Sequence, residues 1–325
     1  MKEVESMNED RKIKFGSSIW PWRWEPPYET TLSRIAKAGF KAVELIAWNR
    51  EALDTYYTPQ KIRELRGTIA DLGLELSEFV STPHGMSSPD KKARDAAVDH
   101  FKRLCEVGIG LGTTMVNSVS SYPLDIDFPW ITERPHMQTF HVDLPSGANW
   151  NQNYADYVDS VRRCCDIAEQ ANLRWAVEAH PFRYVANAMG MLRLIEHVKS
   201  PALGMNFDPS HLFPCGEIPE VVIYELGDRI FHCHFSDNDA MTNAHWRPGK
   251  GKIDWQSVMM ALKEVGFKGV ISIELEDVAG VSRGASQVPG VSKYKPDAGP
   301  ELEFESVAGM NYIKDICNEL DIPFA

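Results

Sequence analysis

The sequence predicts an α/β fold: a single (β/α)8 TIM barrel with long loops over its C-terminal face. Three observations carry this. Short apolar, β-favouring runs alternate with amphipathic helical stretches along the whole chain, and eight such strand runs can be counted. No linker or shift in composition divides the 325 residues. The first strand is followed by SSIWPWRWEPPY, where bulk replaces the glycines of a phosphate loop, which disfavours the competing doubly wound dinucleotide-binding sheet.

The strand runs are KFGSSIW (14–20), AVELIAW (42–48), LELSEFV (74–80), TTMVNSV (113–119), RWAVEAH (174–180), ALGMNF (202–207), IFHCHF (230–235) and GVISIEL (269–275). They are short and mostly apolar, as expected when a helix layer and a barrel interior bury both faces. Helical periodicity falls near 30–39, 59–72, 90–107, 154–172, 187–198, 217–227, 254–265 and 302–320. Gly39, Gly73, Gly227 and Gly266 stand at helix ends where a left-handed cap is expected. Asp254 reads as the N-cap of the seventh helix. Two connections are long, 120–153 and 278–300, and both would lie over the barrel mouth. Residues 1–13 form a polar, flexible extension of mixed charge, and 14–325 make the barrel domain.

Composition narrows the function classes. A formal charge of −12 lacks the basic face that nucleic acids require. Mean hydropathy is −0.31, and no apolar run approaches the roughly 18 residues of a membrane span. The six cysteines show neither zinc-ribbon nor redox spacing, and with no secretory leader they suggest reduced thiols in a cytoplasmic protein.

Four of the strand runs end in a residue able to bind a metal: Glu178 in RWAVEAHP, Asp208 in LGMNFDPSH, His234 in FHCHFSD and Glu274 in VISIELED. Parallel strands would bring three carboxylates and one imidazole to one spot. Such a donor set suits a divalent ion, Mn²⁺, Mg²⁺, Co²⁺ or Zn²⁺. Glu178 and Glu274 come from strands flanking the other two, so they can act as a base and acid pair across a bound sugar.

Other candidates surround that set. His211 can meet a substrate oxygen or support Asp208, and His180 follows Glu178 in EAHPFR. His232 shares a strand face with His234 and can be a layer residue inside the barrel. The loop AHWRPGKGK carries His245, Arg247, Lys250 and Lys252 and is expected to be a mobile clamp for an anion or a polyol. Trp20 and Trp22 can stack on a sugar face, and His84 and Glu78 lie near the end of the third strand. His141, in the connection after the fourth strand, is a candidate general acid or base.

The set AVEAHP, NFDPSH, FHCHFSD, RPGKGKIDW and ISIELED resembles the xylose isomerase-like TIM-barrel superfamily over about residues 14–320. That likeness implies metal ligation by Glu178, Asp208, His234 and Glu274, and proton shuttling by the two glutamates beside the carbonyl of a keto-sugar. Within the superfamily the Trp-rich first loop, the Trp- and His-bearing fourth loop and the SRGASQVPG segment look most like the catalytic α subunit of C-glycoside deglycosidases. This implies a manganese-dependent carbon–carbon lyase that releases an aromatic aglycone from a 3-oxo-C-glycoside, with His141 as acid and a small second subunit as partner. A ketose 3-epimerase or aldose–ketose isomerase is the alternative, and a non-catalytic sugar-binding barrel the third.

Overall fold

The computed structural model describes residues 12–126, 141–279 and 298–325. Strands β1 (Lys14–Ser18), β2 (Ala42–Ile46), β3 (Glu75–Val80), β4 (Met115–Val119), β5 (Arg174–Glu178), β6 (Leu203–Phe207), β7 (Ile230–Phe235) and β8 (Val270–Ile273) pair in parallel in chain order, and β8 closes on β1. Each falls inside its predicted run.

The surrounding helices are α1 (Glu29–Lys37), α2 (Arg50–Thr55), α3 (Pro59–Asp71), α4 (Lys91–Leu111), α5 (Trp150–Gln170), α6 (Ala188–Val198), α7 (Pro209–Leu212), α8 (Pro219–Leu226), α9 (Trp255–Glu264) and α10 (Pro300–Glu319). The short α2 and α7 have too few residues to show a period and were not foreseen. Their caps are legible in hindsight: Asn49 accepts from Ala52 N at 2.9 Å, and Asp208 accepts from Ser210 N at 2.7 Å ahead of Pro209. Helix α4 runs past its predicted end because Gly108 lets it lie close to β4; a Cβ there would stand 3.3 Å from Val116. Asp254 caps α9 by accepting from Ser257 N at 3.1 Å.

The main core fills the space between strands and helices, with Phe79, Phe101, Trp175, Phe207, Phe235 and Trp255 fully buried. Ile13, assigned by the sequence to the extension, is also buried and bridges to Phe324 at the C-terminus. The six cysteines are unpaired, and burial pushes the Cys105 and Cys165 thiols up to about 12, so both stay protonated.

The barrel interior departs from the apolar layers usual in this architecture. Glu44, Glu78, Asn117, Asn206, His232 and Ser272 are all 0% exposed inside it. This polar layer underlies the C-terminal rim.

Candidate metal centre

Strand ends dictate the site. Glu178 ends β5, Asp208 follows β6, His234 is the penultimate residue of β7, and Glu274 follows β8. The structure brings these four together: their ligand atoms all lie within 4.8 Å of one another, and all four residues are buried. His234 Nδ1 is 2.8 Å from Glu178 Oε1 and 2.7 Å from Glu274 Oε2. No well-formed hydrogen bond reaches Glu274 Oε2 or Asp208 Oδ2 among the described residues, although His234 Nδ1 and His245 Nε2 stand 2.7 and 3.5 Å from them. Buried carboxylate oxygens without donors are what a cation would satisfy. The donor set therefore fits a divalent ion, with Glu178, Asp208, His234 and Glu274 to hold it.

Electrostatics separate the two glutamates. Burial raises Glu178, but the charge of His234 and the hydrogen bonds of His180 and His234 outweigh it and hold the carboxyl well below the usual range. Burial lifts Glu274 to about 8, helped by Glu178 and Glu276 and opposed by His234. Burial alone would lower His234; Glu274, Glu44 and Glu178 raise it well above its ordinary value. One carboxylate is thus ionised and one protonated on either side of the imidazole when no ion is bound.

Around the centre lies a row of histidines. The His180 and His211 rings are 3.7 Å apart, and those of His211 and His245 are 4.6 Å apart. His211 Nε2 is 3.6 Å and His245 Nε2 3.5 Å from Asp208 Oδ2. Burial and the neighbouring His211 push His180 down to about 4, so it stays neutral at neutral pH. His245 was read only as part of a clamp; its buried place beside Asp208 was not foreseen.

Other predicted contacts are placed differently. Trp20 sits at the site, but its indole N–H donates to Glu274 Oε1 at 2.6 Å, so it orients a carboxylate. Trp22 is 1% exposed and donates to Ser17 Oγ at 2.9 Å, with Arg34 over its ring; it packs under the loop and presents no face to a ligand. His84 is exposed in the loop after β3. Arg247 and Lys250 bind the two oxygens of Glu305 at 2.8 and 2.7 Å. Their loop is tied down from below as well: Asp237 accepts from Gly249 N, Ile253 N and the Trp255 indole at 2.8, 3.2 and 2.9 Å. The expected mobile clamp is therefore a fixed loop. His141 is exposed and pairs with Asp143 at 3.1 Å; the structure does not bring it to the site. The rest of its loop, 127–140, and the SRGASQVPG segment lie outside the described residues.

The residue that sequence reasoning missed outright is Glu44. Its carboxylate stands 2.9 Å from His234 Nε2. The one available signal was an acid in the middle of an otherwise apolar strand, AVELI.

Known proteins similar to this chain include sugar epimerases and isomerases. D-psicose 3-epimerase of Ruminiclostridium cellulolyticum is 23% identical over 267 residues, which cover 79% of this chain and 81% of that protein. Inosose isomerase of Bacillus licheniformis is 26% identical over 57% of this chain and 62% of its own length. An uncharacterised protein of Methanocaldococcus jannaschii, MJ1311, is 30% identical over 138 residues, and the chain spans only 47% of that relative. Among solved structures, D-psicose 3-epimerase with D-tagatose from Clostridium cellulolyticum H10 superposes with a TM-score of 0.73 at 19% identity, covering 94% of this chain and 99% of that one. A family profile described as xylose isomerase-like TIM barrel matches residues 32–297.

Proposed function

The chain belongs to the xylose isomerase-like TIM barrel family, and from that premise we propose that it is a divalent-metal-dependent enzyme moving a proton beside the carbonyl of a keto-sugar, as an epimerase or isomerase. One observation carries the proposal. Glu178 and Glu274 approach the same His234 nitrogen, at 2.8 and 2.7 Å, with opposite protonation preferences.

A divalent ion held by Glu178, Asp208, His234 and Glu274 would polarise the sugar's carbonyl and so acidify the neighbouring C–H. The protein's residues do the rest. Ionised Glu178 is placed to take the proton from the carbon on one side, and Glu274 to return one from the other. Delivery to the opposite face of the same carbon gives epimerisation; delivery to the adjacent carbon gives isomerisation. Trp20 holds Glu274 in position, and neutral His211 and His180 offer partners to sugar oxygens.

Two of the relatives, an epimerase and an isomerase by name, favour this over carbon–carbon cleavage. The deglycosidase reading leaned on loops of which 127–140 and 280–297 are not described, and on His141, which faces solvent. The test is incubation of the Mn²⁺-loaded protein with free ketohexoses and 3-keto-glucosides in D₂O, followed by NMR. Deuterium should enter at the carbon beside the carbonyl of at least one sugar. Sugars that bind without any exchange would refute the proton-transfer role.

A further inference from the structure

Glu44 poses a question the proposed chemistry does not answer. It is 0% exposed in the middle of β2, whose five residues are all buried. An ionisable group there is costly unless it is partnered for a reason. Its Oε2 accepts from Ser18 Oγ at 3.2 Å and meets His234 Nε2 at 2.9 Å.

We infer that Glu44 is a positioning residue for the metal centre, fixing the His234 ring so that Nδ1 faces the ion; this rests on the proposed metal-dependent function. A carboxylate can only accept, so the hydrogen of that bond belongs to Nε2. A metal-bound imidazole carries one ring hydrogen, so with that hydrogen on Nε2 the Nδ1 lone pair faces Glu178 and Glu274; in the metal-free protein Nδ1 meets Glu178 Oε1 at 2.8 Å, and an ion would displace the hydrogen of that contact. Glu78 Oε1, 3.4 Å from the same Nε2, adds a second acceptor and no competing donor. Glu78 is in turn held by the Asn117 amide at 2.7 Å, and His232 stands 3.5 Å from Glu44 Oε1. The Trp20 and His234 rings also pack edge to face, 5.7 Å between centroids. The interior polar layer is therefore the support of the ligand above it: Glu44 meets Nε2 at 2.9 Å, and the Asn206 amide stands 2.9 Å from Nδ1.

A competing use exists. Ligand atoms of Glu44, Glu78, His232 and His234 also lie within 4.8 Å of one another and could hold an ion of their own. That would require Nε2 of His234 to give up the hydrogen assigned to it here.

Metal-free wild type, Glu44→Met, Glu44→Asp and Glu44→Gln are titrated with Mn²⁺ by electron paramagnetic resonance, with circular dichroism and melting of each metal-free protein as the fold control. Met removes the acceptor, and Asp withdraws it by about 1.5 Å, one C–C bond. Both should weaken Mn²⁺ binding by about 10–100-fold while the fold persists. Gln, whose amide oxygen still accepts from Nε2, should lose less than either. A folded Asp or Met variant that binds as tightly as wild type overturns the inference, as does Gln being the weakest of the three. Two ions in wild type falling to one in Glu44→Met would also overturn it, in favour of the interior ion. Should Met not fold, Asp decides. Wild type that binds no Mn²⁺ sinks the metal-dependent function itself together with this inference, an outcome distinct from the others.

Discussion

Protons and metal compete for the same atoms in this site. In the metal-free protein burial holds Glu274 at about 8, and the surrounding carboxylates keep His234 protonated. An ion must displace those protons, so its affinity should rise with pH until Glu274 ionises above about 8. Calorimetry at pH 7 in buffers of different ionisation enthalpy should show proton release; binding without release would contradict this protonation pattern. Glu178→Gln and Glu274→Gln should each lower turnover by about 10³-fold or more with the fold intact, because a ligand and a proton carrier go together. His141→Ala should leave turnover within about twofold, since the ring faces solvent and pairs with Asp143. The four proposed ligands could be picked out of the sequence because each stands at the C-terminal end of a strand run. Glu44 could not, because an acid within AVELI looks the same from sequence whether it faces a ligand, a helix or solvent.

At the scale of an element, the loop after β7 shows how a motif can be noticed and misread. RPGKGKIDW was taken for a mobile cationic clamp, yet it is wound around one buried acid. Asp237 receives the Gly249 and Ile253 amides and the Trp255 indole, and a Cβ on Gly251 would overlap Asn238 O and the Asp237 carboxylate. Charge and glycine content cannot show that the lysine and arginine have a partner 55 and more residues away, in Glu305. Asp237→Ala should destabilise the protein by about 2–4 kcal/mol, because two buried donors, Ile253 N and the Trp255 indole, and the part-buried Gly249 N lose their acceptor at once. Urea unfolding measures this; a change under about 1 kcal/mol would show the loop to be held by other contacts.

For the molecule as a whole, strand order was readable because apolar runs and helical periods alternate without interruption, and a parallel sheet with helical crossovers of eight units closes naturally. What those patterns hide is the inside of the ring, where both faces of a strand look apolar and a buried Asn or Glu appears as noise. Buried titratable groups also set the acid limit of the fold. His100 is 7% exposed, lies 2.9 Å from Ser81 Oγ, and burial pushes it down to about 4. Between about 6.5 and 4 the unfolded chain binds a proton there that the folded chain refuses, so stability should fall as pH falls through that window. His100→Gln should flatten the melting temperature over the same range; an unchanged slope would place the acid sensitivity elsewhere.

The central claim is that one divalent ion is held by the ends of β5 to β8. Its most direct test is metal analysis of wild type and of the Asp208→Asn, His234→Gln double variant after reconstitution with Mn²⁺ and desalting. The account predicts one ion per wild-type chain and none in the variant, with matching circular dichroism spectra. An ion retained by the folded variant, or absent from wild type, would contradict it.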